Sequence, residues 1–240
     1  MERDLGMQIA KRFSPQKGGV PKPTTDDTRV AHFTDTFYEI NGVALTLQQQ
    51  VHVAAEANRP YTLITCDDQN RVAIDGVKHF TPTGTYNLPE YGQQKLFYPP
   101  LLEMIDYIHK EGFNHIHTAT PGPIGLAALA ISRFLRLPIS GTYHTAIPQY
   151  VQILTGSGFM EEMAWKFVIW YYNQMDMVYA ASRRTMDELI AKGIDGDKIQ
   201  TYPRGIDILR FSPERRKGYY KKWNFTNRPT ELIYVGRVSR

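Results

Sequence analysis

The stretch from His115 to Tyr150 limits the fold more than any other. His115–Thr118 reads as a short strand, and Thr120-Pro121-Gly122-Pro123 as a sharp turn with Pro123 placed as the first residue of a helix. Ile124–Arg136 is dense in Ala, Leu and Ile, so that helix is apolar on a broad face. Pro138 stops it, and Ile139–Tyr143 reads as a second strand. Strand, crossover helix and strand make a βαβ unit, which is right-handed and parallel in nearly all cases. The unit predicts an α/β fold built on a doubly wound parallel sheet, with chemistry at the carboxyl ends of the strands. The loops Thr118–Pro123 and His144–Gln149 both leave from that edge.

The rest of the chain is read around this unit. Residues 1–28 carry Ser14, Pro15, Gly18, Gly19, Pro21 and Pro23 and few large apolar groups, the pattern of a tail or linker. Arg29–Phe33 reads as a strand, Thr34–Asn41 as a loop, and Val43–Ala57 as a helix with Val43, Leu47, Val51 and Ala54 on one face. Tyr61–Thr65 is a second strand, and Arg71–Phe80 is expected as a strand pair around the Asp75-Gly76 turn. Residues 81–99 read as irregular, and Pro100–Glu111 as a helix. Leu154–Gly158 is expected as a flexible joint before the aromatic helix Phe159–Met175. That helix carries two apolar stripes and is expected to be buried between neighbours, with a partner- or lipid-facing surface as the alternative. Strands at Met177–Ala180 and Ile199–Tyr202 flank a helix that Ser182 caps and Gly193 ends. A basic helix from Ser212, a linker at 226–230 and a strand at Glu231–Val235 follow. The expected division is therefore a tail over 1–28, one domain over 29–225, and the opening of a truncated second domain over 226–240.

Composition narrows the classes. Of 240 residues, 42% are hydrophobic and 22% charged, which suits a globular domain with a real core. A single cysteine, Cys66, leaves no internal disulfide and fits a reducing, cytoplasmic setting. No apolar run reaches membrane-span length. The net charge is +4, yet Arg210–Lys222 alone holds six basic residues against Glu214, so the remainder is close to neutral. The basic segment reads as a solvated helix, with peripheral contact on the inner face of a membrane left open. A nucleic-acid partner is not expected.

Chemical motifs are few. No nucleophile elbow and no Gly-Lys-Ser phosphate loop occur. His115 and His117 are expected on opposite faces of their strand, which leaves no pair for a metal, and none is expected. Candidate residues therefore lie in the loops at strand ends. Gly42 opens a helix after the first strand, where amides and the helix dipole either receive an anion or form an ordinary cap with Asn41. His144 directly follows a buried strand beside Thr145.

Taken in order, the motifs resemble family 4 retaining glycosyltransferases of GT-B fold. They are Phe33-Thr34-Asp35-Thr36-Phe37 with Asn41-Gly42-Val43, His117–Gly125 with its Pro121-Gly122-Pro123, and Gly141-Thr142-Tyr143-His144-Thr145. Ala181-Ser182-Arg183, Pro203-Arg204-Gly205-Ile206-Asp207 and Tyr234-Val235-Gly236-Arg237 continue the series. The resemblance implies a Rossmann-like N-terminal half of a GT-B fold. It implies transfer of a sugar, with retention, from a nucleotide sugar such as a UDP- or GDP-sugar to a lipid or other hydroxyl acceptor, without a separate cofactor. It gives His144 a catalytic place on the donor sugar, and puts Asn41, Gly42 and Arg237 at the donor. Asp35, Pro121, Gly122, Thr145, Gln149, Arg204, Gly205 and Asp207 would line the cleft or the acceptor. The family's further donor-gripping residues would follow Arg240, so this chain alone is expected to transfer little. The alternatives are a non-catalytic scaffold of the same fold and another GT-B enzyme such as a sugar-nucleotide epimerase.

Overall fold

The first strand, β1 (Val30–Phe33), buries Ala31 and Phe33 on one side and His32 on the other, as a period of two requires. The computed structural model describes residues 28–69, 71–87, 95–202, 205, 208 and 211–215. After β1 come α1 (Gly42–Glu56), β2 (Tyr61–Cys66), β3 (Val77–Phe80) and an antiparallel pair, β4 (Gly84–Asn87) with β5 (Lys95–Tyr98). Then follow α2 (Leu101–Lys110), β6 (His115–Thr118), α3 (Pro123–Leu135), β7 (Ile139–Tyr143), α4 (Ile147–Thr155), α5 (Gly158–Asn173), β8 (Met177–Ala180), α6 (Arg183–Lys192) and β9 (Ile199–Thr201). Seven strands form one sheet in the order β3-β2-β1-β6-β7-β8-β9, every neighbouring pair parallel.

The chain divides into two compact units, residues 1–203 and 204–240. The sheet belongs to the first. Of the second, the described part includes a short 3-10 turn at Pro213–Arg215, where the Ser212 hydroxyl accepts the Glu214 amide at 3.3 Å. The tail before Thr28, most of the basic helix, and the linker and strand over 226–240 lie outside the described residues.

The two faces of the sheet are covered unequally. One face carries the main core: Ala31, Phe33, Ile64, Ile116, Ile139 and Val178 meet α2, α3, α5 and α6 through Met104, Ile108, Ile124, Ile131, Tyr171 and Leu189. The other face carries α1, whose Leu47 and Val51 pack with Leu63, Phe37 and Ala119. Leu47 and Val51 are four apart, so they share one side of the helix. Asn41 caps α1, its Oδ1 accepting the Ala44 amide at 2.9 Å.

Four expectations are corrected. Residues 71–76 do not form the first arm of a hairpin. The Arg71 guanidinium is held by Asp67 at 2.8 Å, Gly76 turns the chain at φ +75°, and Val77–Phe80 adds in parallel to the open edge of β2. The segment 81–99, expected as irregular, contains the β4–β5 pair. The loop after β7 is shorter than expected, because α4 begins at Ile147, with a proline in its first turn and Gly156 closing it in the left-handed region at φ +63°. Finally, α5 is buried on one side only. Trp165, Val168, Tyr171 and Tyr172 are inside, while Met160, Met163 and Trp170 are exposed.

Candidate active site

Register places three loops side by side on the carboxyl edge. Phe33 pairs with Thr118, and Thr118 with Gly141, so β1 and β6 end at one level and β7 runs two residues further on the same edge. From β1 the chain passes to α1 on one face; from β6 it passes to α3 on the other. The boundary between β1 and β6 is therefore the switch point of the sheet, where open α/β folds form their ligand crevice.

Asp35 spans this switch. Its amide donates to the Thr120 hydroxyl at 2.9 Å, and that hydroxyl donates back to the Asp35 carboxylate at 2.6 Å. The carboxylate also accepts the Ile124 amide at 2.8 Å and the Gly125 amide at 3.4 Å. Helix α3 has no side-chain cap from Gly122, so Asp35 supplies one from another loop and places its charge at the positive end of the helix. Burial raises the Asp35 carboxyl above its ordinary range, and the bonds from Thr120, Ile124, Gly125 and Gly122 oppose that rise. The glycines leave room for this contact. A Cβ on Gly122 would stand 2.5 Å from the Asp35 carboxyl carbon, and one on Gly125 would stand 1.9 Å from the Thr120 carbonyl oxygen.

The β1–α1 loop is tied internally. Glu39 accepts the Thr36 hydroxyl at 2.7 Å and the Phe37 amide at 2.9 Å, and Asn41 Nδ2 donates to Thr36 at 2.8 Å. Both polar atoms of Asn41 are thus used in holding the loop and capping α1. Gly42 follows at the first position of the helix, with no atom within 4 Å of where a Cβ would stand. Its amide belongs to the first turn, which no helical carbonyl reaches.

Beneath this edge lies a layer of histidines and hydroxyls on the α1 face. His117 gives both ring nitrogens to β7: Nδ1 meets Ser140 Oγ at 2.7 Å and Nε2 meets Thr142 Oγ1 at 2.9 Å. His115 Nε2 meets the same Ser140 Oγ at 2.8 Å. The expectation that His115 and His117 face opposite ways is therefore wrong, since residues two apart on a strand share a face. His32 Nδ1 meets the Tyr61 hydroxyl at 2.8 Å, and its ring packs edge-on against His117 with centroids 4.3 Å apart. Burial pushes His117 down to about 3, with His115 and His144 adding to the effect. Burial likewise holds His32 well below its ordinary value, helped by His117 and His144. His144, half-buried at the end of β7, is thus near enough to act on both rings. Among the described residues no cluster of three metal-ligating side chains occurs.

Asp35, Asn41, Gly42, Pro121, Gly122, His144 and Thr145 all lie in the three loops or at their ends. The Thr145 carbonyl accepts the Ile147 amide at 2.8 Å and starts α4. Gln149 is drawn toward α6, donating to Glu188 at 3.0 Å. Gly205 is exposed in the second unit, and Arg204, Asp207 and Arg237 lie outside the described residues. Sequence reading missed Thr120 as the partner of Asp35, and missed the layer of His32, His117, Ser140 and Thr142. The layer left a signal: polar residues recur at alternate positions of two adjacent strands, His115 and His117 on β6 and Ser140 and Thr142 on β7.

Comparison with known proteins bears on the family and the fold. The profile of Glycosyltransferase Family 4 matches residues 40–210. The GDP-mannose-dependent alpha-mannosyltransferase of Mycobacterium tuberculosis is 29% identical over 125 residues, 52% of this chain and 32% of that protein. The alpha-monoglucosyldiacylglycerol synthase of Streptococcus pneumoniae is 23% identical over 226 residues, 88% of this chain and 49% of that protein. The chain thus spans about half or less of the length of these relatives. Among solved structures, Anabaena Alr3699/HepE in complex with UDP superposes with a TM-score of 0.50 at 15% identity, over 78% of this chain and 47% of that one. That likeness is to a parallel sheet of the same kind. The family profile, in turn, covers the end of the first loop from Ile40 and the whole of the other two, and on that match the chain belongs to Glycosyltransferase Family 4.

Proposed function

We propose that this chain forms the acceptor-side half of a retaining glycosyltransferase, which moves a sugar from a nucleotide-sugar donor to a lipid or other hydroxyl acceptor. One observation carries the reading. Of the two helix starts at the switch point, that of α3 is filled by Asp35, while that of α1 presents Gly42 with open space before it. A donor diphosphate approaching the edge finds its backbone amides at α1. Departure of the nucleoside diphosphate builds negative charge, and amides held in place stabilise it without reorganising. His144 at the β7 rim contributes a hydrogen bond to the donor sugar, and the neutral rings beneath it add no competing positive charge. Arg237 supplies a guanidinium to the leaving group in the same reading. The mannosyltransferase relative is named for a GDP-sugar and the streptococcal relative for a glucosylated diacylglycerol, which favours a nucleotide sugar and a lipid acceptor here.

The test is transfer of labelled glucose or mannose from UDP-glucose or GDP-mannose to extracted lipid by the full-length polypeptide that carries these residues. Gly42→Val is expected to lower turnover by about 100-fold, the effect of losing one charge-stabilising contact. Its melting temperature should match the parent's, because no atom lies where the new side chain begins. Parent-like turnover would remove the β1–α1 loop from the site.

A further inference from the structure

Helices α4 and α5 form a hairpin around Gly156, and its outer face is apolar apart from the Glu162–Lys166 pair, which shares the side of Phe159 and Met163 on α5. Near the turn Ile153 is 77% exposed and Phe159 is 69% exposed. Tyr150 and Leu154 on α4, and Met160, Met163 and Trp170 on α5, extend the same surface and are 41–54% exposed. Spacings of three and four residues keep each set on one side of its helix. Taking about 200 Å² for each fully exposed large side chain, the patch offers on the order of 800 Å², beyond what a monomer ordinarily leaves bare. The hairpin is nearly uncharged. From Ile147 to Asn173 it holds Glu161, Glu162 and Lys166, and Lys166 is paired with Glu162 at 2.8 Å.

We propose that this face seats itself in a lipid surface, so that a lipid acceptor reaches the β7 rim without leaving the bilayer. The proposal rests on the lipid-acceptor reading above and adds the surface that delivers it. Two features choose lipid over another occupant. The patch runs along α4, whose first turn starts three residues after His144, to the Gly156 turn at the helix's far end. Its side chains are the tyrosine, tryptophan, phenylalanine and methionine of a water–hydrocarbon boundary, with no excess of cations to seek anionic headgroups. Contact is therefore driven by apolar burial and is indifferent to salt.

The experiment is sedimentation of the chain with vesicles of phosphatidylcholine alone. Binding is expected, and expected to persist when salt is raised from about 0.1 M to about 1 M, which shrinks the screening length from about 10 Å to about 3 Å. Ile153→Glu and Phe159→Glu should each weaken partition about tenfold or more, because an ionised carboxylate resists leaving water. Both positions are exposed, so melting temperatures should not change. A chain that stays in the supernatant overturns the proposal, as do variants that bind like the parent. So does binding that needs phosphatidylglycerol and vanishes in salt. A dimer seen by light scattering, and split by Ile153→Glu, would make the face a self-interface and also overturn it. The readout uses neither donor nor turnover. Loss of the transfer reading thus leaves vesicle binding standing, and loss of vesicle binding leaves transfer to be judged by Gly42→Val.

Discussion

The histidine layer makes the fold sensitive to acid in a way that can be measured. His117 titrates near 6.5 when unfolded and is pushed down to about 3 in the folded chain, chiefly by burial. Between those values the unfolded chain holds a proton on this ring and the folded chain does not. Stability therefore rises with pH across that window and levels off above about 6.5. The slope is about 1.4 kcal/mol per pH unit for the one group, so moving from pH ~7.5 to pH ~5 removes about 2 kcal/mol. His32 and His115 are lowered by the same cause and steepen the loss. The perturbation is His117→Gln, which keeps a donor and an acceptor near Ser140 and Thr142 but cannot be protonated. The assay is urea unfolding followed by far-ultraviolet circular dichroism at several pH values. At pH ~7.5 the variant is expected to be less stable by about 1–2 kcal/mol, through poorer hydrogen bonds and lost contact with His32. From there to pH ~5 it should lose about 2 kcal/mol less than the parent. Surface carboxylates titrate alike in both proteins and cancel in the difference. Parallel curves for the two proteins would refute the assignment of a buried neutral His117.

The remaining predictions concern the switch point. Gly125→Ala puts a methyl group 1.9 Å from the Thr120 carbonyl oxygen and should lower stability by about 1–3 kcal/mol in the same unfolding assay, whereas Gly112→Ser would be judged only by its φ of +69° because its surroundings are open. A Gly125→Ala protein as stable as the parent would show that this turn yields freely. Asp35→Ala leaves the start of α3 without its cap and should cost about 1–2 kcal/mol. Asp35→Asn should cost less, because its amide oxygen can still accept the Ile124 amide. Equal losses for the two variants would mean that the charge, rather than the hydrogen bonds, does the capping.

Much of the fold was legible in the sequence, since its signals are local. The strand His115–Thr118, the turn with Pro123, and the strand Ile139–Tyr143 were all read at their observed bounds to within a residue. The resemblance to family 4 glycosyltransferases rested on motifs in these same loops, and the family profile agrees. What was missed depends on contacts distant in sequence. Asp35 and Thr120 are 85 residues apart, and nothing near either residue announces the other. Asp75-Gly76 does turn the chain, but the turn alone could not say that Val77 would find the edge of β2 and not a hairpin partner. The apolar residues of α5 showed helical spacing on two sides, and spacing cannot tell a neighbouring helix from solvent or lipid.

Gly42 joins the fold to the site. Several glycines of this chain are explained by folding alone. Gly76, Gly112, Gly156 and Gly193 take positive φ, where other residues are strained, and Gly122, Gly125 and Gly141 sit where a Cβ would collide with a neighbour. Gly42 has neither reason. Its φ is not positive, and no neighbouring side chain or element crowds the place of a Cβ. Gly158 and Gly205 share that openness, but one begins α5 a full helix away from the carboxyl edge and the other lies in the second unit. A glycine that neither conformation nor crowding requires leaves room for something outside the chain. At the start of α1 the group that gains most from a bare backbone is an anion meeting first-turn amides, since a side chain there would hold it away. The neighbouring helix start is closed to such an anion, because it would have to displace the Asp35 carboxylate from the Ile124 and Gly125 amides and leave that carboxylate buried without them. The switch point is thus polarised: the start of α3 holds a carboxylate from within the protein, while at α1 Asn41 caps the Ala44 amide and leaves the Gly42 end uncrowded.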